Sequence, residues 1–257
     1  MTEEKSSAPT LGQLDGESRL VALREELVSN GSVRITEMAV RLGVSPMTIR
    51  RDLVQLETAG VARRVRGGAV TLVGPSFAER HQVHAHAKAR IAAKLAKMLP
   101  IRGAIGLDSS STILHLVRYL DESPLTVVTN GLETHRELSR RSLARIILTG
   151  GELHPETGSL IGPVALKVAQ SLAVQRLFIS AGGIDGSLGA TERYLEEAEI
   201  KQALANHAAE VVLAADTSKL DAPELAQSIG WDRISFLVTE LPPSALPRTY
   251  RDLTEVV

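Results

Sequence analysis

The chain has 257 residues, enough for two domains, and 44% of them are hydrophobic and 23% charged, a balance typical of globular proteins with a buried core. It contains no cysteine, which excludes disulfide frameworks, thiol catalysis and zinc-cysteine sites and is typical of a reducing cytoplasm. Because the formal net charge is -1, binding of nucleic acid would require a local basic surface rather than a generally cationic chain.

The first part of the sequence predicts a small domain over residues 17–72, preceded by a flexible tail over residues 1–16. The tail mixes acidic and basic residues without an apolar run, so no signal peptide is predicted. Apolar spacing predicts helices over residues 19–30, 36–43 and 45–60. Ser45 and Pro46 supply the N-cap and the first-turn proline of the third helix. Short strands joined by Arg66-Gly67-Gly68 predict a hairpin, here called the wing.

The third predicted helix and the wing form a basic surface. Residues 41–70 contain six arginines and two carboxylates. With the apolar side of the helix facing the core, its other side can enter a DNA major groove while the wing contacts the adjacent phosphates. The candidate DNA-contacting residues are Ser45, Pro46, Met47, Thr48, Arg50 and Arg51 in the helix and Arg63, Arg64 and Arg66 in the wing. The alternative is a helical subdomain whose arginines are simply solvated.

This segment also resembles a known family of regulators. Residues 35–39 (ITEMA), 44–53 (VSPMTIRRDL), 56–57 (LE) and 67–69 (GGA) are similar to the helix-turn-helix signature of the DeoR family. Arg66 departs from that signature, in which a histidine often precedes the two glycines. The resemblance implies a winged helix-turn-helix that binds double-stranded operator DNA.

The rest of the chain predicts an α/β domain. After a predicted linker over residues 73–87, apolar runs alternate with helical patterns over residues 88–257. The runs lie at residues 104–107, 125–128, 145–148, 177–179, 211–214 and 236–238. This alternation predicts a mostly parallel sheet with helices on both faces. No stretch is long and apolar enough to span a bilayer, so no membrane partner is expected.

Polar or glycine residues follow most of these strands, at the edge where parallel α/β sheets bind ligands. The run from Asp108 to Thr112 leads into a predicted helix through Leu114 and Leu120, and its N-terminus suits a phosphate group. Asp108 would accept hydrogen bonds from sugar hydroxyls, and Lys219 would supply a countercharge. The candidate effector-contacting residues are Asp108, Ser109, Ser110, Ser111, Thr112, Asn130, Gly150, Gly151 and Lys219. The alternative is that each serves only as a helix cap or a turn.

The same stretches resemble the C-terminal sensor of the DeoR family, and the likeness spans residues 19–240. The resemblance adds Lys88 and Asp185 to the candidate effector-contacting residues, whereas Ser110 and Ser111 stand where the family usually has glycine and threonine. It implies a fold similar to ribose-5-phosphate isomerase and glucosamine-6-phosphate deaminase. It also implies a repressor of carbohydrate or nucleoside catabolism that a phosphorylated sugar releases from its operator.

Three other hypotheses stay open. His81, His84 and His86 could suggest a metal site, but no fourth ligand is evident, so they are expected to face solvent or to pack on the wing. An enzyme acting on sugar phosphates would need Asp108 or Asp185 as its base, and no motif marks either as catalytic. The first domain could also mediate assembly without any small molecule. For a regulator we expect a homo-oligomer without cofactor or catalytic residue, with sugar, operator, assembly size and sign of regulation left open.

Overall fold

A computed structural model describes residues 15–71, 76–120, 124–141 and 144–257. The chain divides into two compact units, Met1–Pro75 and Ser76–Val257. No helix in the described ranges combines the length and the hydrophobicity that a membrane span requires.

The first unit packs three helices against a three-stranded antiparallel sheet of order β1-β3-β2. In chain order its elements are α1 (Gly16–Asn30), β1 (Ser32–Arg34), α2 (Ile35–Arg41), α3 (Pro46–Thr58), β2 (Ala62–Val65) and β3 (Gly68–Thr71). Leu23 and Leu27 of α1 pack with Ile49 and Leu53 of α3 in a core without solvent exposure. The three predicted helices and the wing are therefore present. Strand β1 was not predicted, because three residues are too few to show a periodic pattern.

Local sequence explains where α3 begins. Gly43 has a positive φ of 65°, a backbone conformation that a β-carbon would strain, and this permits the tight turn after α2. The Ser45 side chain accepts a hydrogen bond from the backbone nitrogen of Thr48 at 3.1 Å, and Pro46 occupies the first helical position. The start of α3 is thus encoded within a few residues.

The second unit is an α/β domain built on a seven-stranded sheet. Its helices are α4 (Phe77–Gln82), α5 (Ala85–Ala96), α6 (Ser111–Leu114), α7 (Leu132–Arg141), α8 (Gly162–Ser171), α9 (Leu195–Asn206) and α10 (Arg248–Leu253). Its strands are β4 (Gly103–Leu107), β5 (Leu125–Thr129), β6 (Arg145–Leu148), β7 (Glu152–Leu153), β8 (Leu160–Ile161), β9 (Val174–Ile179), β10 (Gly183–Asp185), β11 (Gly189–Glu192), β12 (Ala208–Ala214), β13 (Ala226–Ile229), β14 (Phe236–Val238) and β15 (Glu255–Val256).

The large sheet is parallel throughout, in the order β15-β14-β12-β9-β4-β5-β6. All six predicted strands belong to it. From β4 the chain runs outward through β5 and β6, and from β9 it runs outward in the opposite direction through β12 and β14. The direction reverses between β4 and β9, and in sheets of this kind the ligand crevice opens at the carboxyl ends of the strands at that reversal.

Side chains alternate across this sheet and build two cores. In β9, Leu177 and Ile179 join one cluster with α8 and α9, whereas Phe178 joins the other cluster with α5, α6 and α7. Because successive strand residues point to opposite faces, both faces are covered by helices, as the sequence predicts.

Three features of the second unit differ from the sequence prediction. Residues 77–87, placed in the predicted linker, form α4 and the start of α5, because Ser76 and Glu79 close a capping box at the start of α4. The predicted helix through Leu114 and Leu120 is interrupted, since α6 ends in tighter turns and a 3-10 turn follows at Val117–Tyr119. The hairpin β7–β8 and the antiparallel sheet β10-β11-β13 were not predicted from such short strands.

Candidate functional site

Helix α3 presents one apolar side to the core and one polar side to solvent. Ile49, Leu53 and Leu56 are buried, whereas Met47 is 61% exposed. Arg50 and Arg51 are exposed on the same side as Met47. Ser45 and Thr48 are committed to the helix cap, and their hydroxyl oxygens lie 2.9 Å apart. The predicted DNA-contacting helix residues therefore share one surface, with two of them already used to begin the helix.

The wing arginines are exposed, but they are not equivalent. Arg64 donates to Glu57 of α3 through its backbone nitrogen at 3.0 Å and through Nε at 2.5 Å. The hydrogen bond from the Arg64 backbone is the main reason why the pKa of Glu57 is lowered. Arg63 and Arg66 make no ion pair within the part of the chain that the structure describes. Arg64 thus joins the wing to α3, while its neighbours Arg63 and Arg66 stay available to phosphates.

A second ion pair holds α3 on the side that faces the core. Arg19 of α1 contacts Asp52 through two hydrogen bonds, Nε to Oδ2 at 2.7 Å and Nη2 to Oδ1 at 3.1 Å. Asp52 is buried on the side of α3 that faces the core. Sequence reasoning counted Asp52 only as a charge, because nothing local shows that Arg19 reaches it.

In the second unit, Asp108 lies at the carboxyl end of β4 and is fully buried. Its Oδ1 accepts from the backbone nitrogen of Ser110 at 3.0 Å and from Ser110 Oγ at 2.6 Å. Its Oδ2 accepts from the backbone nitrogen of Ser180 at 2.9 Å and lies 3.2 Å from Lys201 Nζ. Both oxygens are therefore occupied, and Asp108 joins β4 to β9 rather than offering an acceptor to a sugar hydroxyl.

Lys201 is a buried cation that pairs with two of the carboxylates at this end of the sheet. Its Nζ donates to Glu192 Oε1 at 2.6 Å and to the backbone oxygen of Ser180 at 2.7 Å. Burial opposes the charge of Lys201, but Glu192 and Asp108 outweigh it, so the pKa of Lys201 is raised. Lys201 carries its charge at neutral pH and already has acidic partners.

Lys88 and Lys219 differ from Lys201, because the oxygens that they contact are neutral. Lys219 Nζ donates to Ser180 Oγ at 3.2 Å and to the backbone oxygen of Ala181. Lys88 Nζ donates to Ser111 Oγ at 3.1 Å and to the backbone oxygen of Arg80. Burial, followed by the charge of Lys219, lowers the pKa of Lys88 to about 8, and burial also lowers the pKa of Lys219. An anion that reached these two ammonium groups would relieve their unfavourable environment.

The turn after β4 holds the other predicted contact residues. Ser110 caps α6 by accepting from the backbone nitrogen of Ile113 at 3.2 Å, so its side chain works as a helix cap. Ser111 and Thr112 point to the same centre, where Thr112 Oγ1 lies 3.4 Å from Ser180 Oγ. Helix α6 has only four residues, so its dipole at this point is small.

Ser109 and Asn130 lie at neighbouring strand ends. A β-carbon on Gly131 would lie 2.8 Å from the Cα of Ser109, so the glycine lets the two loops approach closely. Asn130 is fully buried, and its Nδ2 donates to the backbone oxygen of Leu160 at 3.4 Å. Its Oδ1 is buried without a hydrogen-bond partner in the described structure. Such an acceptor suits a hydroxyl donor from a ligand.

The structure does not bring three of the predicted residues to this centre. Gly150 and Gly151 follow β6, the edge strand, and a β-carbon on Gly151 would lie 2.4 Å from the backbone oxygen of Ile161. That glycine is required by packing. Asp185 is half-buried at the end of β10 and accepts from the backbone nitrogens of Ser187 and Leu188 at 2.7 and 2.9 Å. It closes a turn.

Sequence reasoning did not assign several charged residues to the centre. They are Arg80, Glu192, Glu197, Lys201 and Asp216, of which all but Arg80 are buried. Arg80 donates to the backbone oxygens of Glu156 and Thr157 at 3.2 and 2.9 Å, and burial lowers the pKa of Arg80. The signal for Arg80 was hidden because its segment was predicted to be a linker.

Of the three histidines near α4, His81 packs within the second unit, whereas His84 and His86 are exposed to solvent, as the sequence analysis allowed. The His81 ring stacks on His115 with centroids 4.6 Å apart, and His84 adopts the left-handed conformation before α5. Within the described ranges, no three His, Asp or Glu side chains are grouped for a metal ion.

Comparison with known proteins identifies a family model for each part of the chain. Residues 19–73 match the model of the DeoR-like helix-turn-helix domain, and residues 83–241 match the model of the DeoR C terminal sensor domain. The chain belongs to the DeoR family. It is a DNA-binding transcription regulator with a helix-turn-helix unit and a sensor unit.

Curated relatives of this DeoR-family regulator cover most of its length. The lactose phosphotransferase system repressor of Streptococcus mutans is 29% identical over 94% of this chain and 98% of its own. The transcriptional regulator GolR of Listeria innocua is 32% identical over 83% and 86%, and the L-fucose operon activator of Haemophilus influenzae is 30% identical over 84% and 91%. Among solved structures, ribose 5 phosphate isomerase A from Neisseria gonorrhoeae is 16% identical over 52% of each chain, with a TM-score of 0.39. A likeness at that level establishes no shared activity.

Proposed function

We propose that this DeoR-family regulator represses a carbohydrate or nucleoside catabolic operon in the cytoplasm and that a phosphorylated sugar releases it from the operator. The observation that carries the proposal is the pair Lys88 and Lys219 at the carboxyl ends of the central strands, whose hydrogen-bond partners are neutral oxygens. Relatives that carry the names of sugar-operon regulators support the choice of ligand class.

The phosphate would lie between Lys88 and Lys219, with the hydroxyls of Ser111 and Thr112 beside it. The buried Oδ1 of Asn130 would accept from a sugar hydroxyl, the role first expected of Asp108. Lys201 is already paired with Asp108 and Glu192, so it would connect elements around the site rather than bind the ligand.

The regulator would be a homo-oligomer in which the α3 helices of two or more protomers bind repeated half-sites of the operator. The ligand must bind more tightly to the arrangement that does not fit the operator, because equal affinity for both arrangements would shift nothing.

We propose that the sensor does not catalyse a reaction. The candidate base Asp108 has both carboxylate oxygens occupied, and Asp185 closes the turn between β10 and β11. Incubation of the purified chain with sugar phosphates is expected to yield no product, and measurable isomerisation would contradict this part of the proposal.

The deciding experiment is a fluorescence-anisotropy titration against the DNA upstream of the protein's own gene, with and without a panel of sugar phosphates. Tight binding relieved by one of them is expected, and absence of DNA binding under every condition would overturn the proposal. Lys219→Met should bind DNA normally but require about tenfold to a hundredfold more ligand for release, because a hydrogen bond to a charged group is lost. Lys94→Met is the matched control, since Lys94 Nζ donates to the backbone oxygens of Leu241 and Val257 instead.

A further inference from the structure

Helix α4 is attached to the rest of the sensor unit through polar and ring-stacking contacts. It is the first element of that unit, and only residues 72–75 separate its cap Ser76 from Thr71, the last residue of the wing. None of its residues is buried. Elements with little buried apolar surface open at a low free energy, so the position of α4 depends on individual polar contacts.

Two of these contacts come from the proposed phosphate site. The backbone oxygen of Arg80 lies in the last turn of α4, where carbonyl groups lack amide partners within the helix. It accepts from Lys88 Nζ and from Ser111 Oγ, the latter at 3.2 Å. A cation at the carboxyl end of a helix is also favoured by the helix dipole. Lys88 and Ser111 therefore cap the end of α4.

Other contacts of α4 use other groups. The Arg80 guanidinium donates to the backbone oxygens of Glu156 and Thr157, and His81 stacks on His115. These contacts do not involve Lys88 or Ser111. Loss of the cap would loosen the last turn of α4 without detaching the helix.

A phosphate group would compete for both capping donors. A phosphate oxygen is a stronger acceptor for an ammonium group than a neutral carbonyl is, because the hydrogen bond is charge-assisted. Ser111 has a single hydroxyl hydrogen, which cannot serve the phosphate and the Arg80 carbonyl together. The two donors that a phosphate would use are thus the two donors that hold the end of α4.

We propose that Lys88 and Ser111 are positioning residues for α4, and that a phosphate group bound between Lys88 and Lys219 withdraws them from the Arg80 carbonyl and releases the last turn of the helix. This inference rests on the proposed function, since it assigns the step by which occupancy of the sensor is passed toward the chain segment that leads to the DNA-binding unit. It gives the ligand the differential affinity that regulation requires, because the two states of α4 compete with the ligand to different degrees.

Amide hydrogen exchange of the full chain tests this step. The backbone nitrogens of Arg80 and Val83 donate to Ser76 and Glu79 at 2.9 and 3.0 Å, so their exchange reports opening of α4. Inorganic phosphate is the probe, and a rise in the unfolding temperature shows independently that it binds. We expect saturating phosphate to accelerate exchange of these amides about tenfold in the natural chain.

The variants separate positioning from general stability. Lys88→Met and Ser111→Ala should exchange faster than the natural chain without phosphate, and phosphate should add little in either, because the same contact is already lost. Lys94→Met removes a lysine of the same helix that caps other carbonyls, so it should leave α4 exchange unchanged. Ser111→Ala keeps the test valid if Lys88→Met does not fold.

Each outcome decides one of the two proposals. Phosphate that raises the unfolding temperature while exchange of α4 stays equal or slows overturns the release of α4 and leaves anion sensing intact. If phosphate at cellular concentrations changes neither the unfolding temperature nor the amide exchange of α4, anion sensing is overturned, and the release of α4 with it. Faster exchange in Lys94→Met to the same extent as in Lys88→Met overturns the positioning role.

Discussion

The DNA-binding unit and the sensor unit both hold cations suited to phosphate groups, but in opposite environments. Arg50 and Arg51 are exposed, and within the described ranges they make no ion pair. Lys88 is only 4% exposed and Lys219 is partly buried, and both contact neutral oxygens. Exposed cations keep their charge at little cost and act through displaced counterions, whereas buried ones bear a desolvation cost that a bound anion removes. The first site should therefore respond to salt and the second to pH.

The largest expected effect is on stability, and it concerns the buried group of Lys201, Asp108 and Glu192. Lys201→Met leaves Asp108 and Glu192 buried without their cation, and we expect a loss of about 3–5 kcal/mol in the free energy of unfolding of the sensor. Urea unfolding followed by fluorescence of Trp231, the only tryptophan, measures this unit. Arg248→Ala is the control, because the pair of Arg248 with Asp252 is 84% and 66% exposed and should matter by less than about 0.5 kcal/mol. Equal losses in both variants would break the contrast.

The next effect in size is a pH dependence confined to the sensor. Lys88 loses its proton as pH rises through its lowered pKa of about 8, so affinity for a phosphorylated sugar should fall above that pH, by up to about tenfold per pH unit. Operator binding should stay constant from pH 7 to 9, because arginine remains charged. Titrations of both ligands across this range measure the two trends, and parallel trends would contradict the assignment of Lys88.

The same pKa has the opposite sign in stability. Below pH 8 the folded sensor bears the full cost of burying a charged Lys88, and that cost is relieved between pH 8 and the ordinary value of 10.5. A ligand-free sensor should thus gain stability from this group as pH rises, while it loses ligand affinity.

The smallest effect is a change in salt dependence at the DNA surface. Arg50→Ala and Arg51→Ala should each lower the slope of log affinity against log salt by about 0.9, the value for one lost phosphate contact. Arg248→Ala, an exposed arginine in the sensor unit, should leave the slope unchanged. Anisotropy titrations at several salt concentrations measure it, and an unaltered slope in both α3 variants would remove these arginines from the phosphate interface.

The fold was predictable where its signals are local. The cap at Ser45, the proline at position 46 and the glycine at position 43 define α3 within a short stretch, and long apolar runs identified all six main strands. Shorter elements such as β1 and the β7–β8 hairpin carry too few residues for a periodic pattern. The sequence predicts a linker where α4 lies, because Gly74 and Pro75, which are typical of linkers, directly precede the capping box at Ser76.

The candidate site was predictable only in outline. Position after a strand identified Asp108, Ser111 and Lys219, but not what their atoms contact. Ser180 donates to Asp108 from 72 residues away, and Lys201 reaches the same carboxylate from another helix. Such contacts depend on strand register and helix placement, so sequence position could not show that both oxygens of Asp108 have partners within the chain, nor that Lys201 is one of them.

The ion pair between Arg19 and Asp52 has a consequence for how operator preference can diverge. The contacts that anchor α3 are made by Asp52, the Ser45 cap, the buried apolar side chains and the pair of Glu57 with Arg64. The side chains on its outer surface, Met47, Arg50, Arg51 and Val54, contribute nothing to that anchoring. The residues that anchor α3 and the residues that would face DNA are therefore different. Exchanging these four side chains should change the DNA sequence that the protein prefers, while its unfolding temperature stays the same.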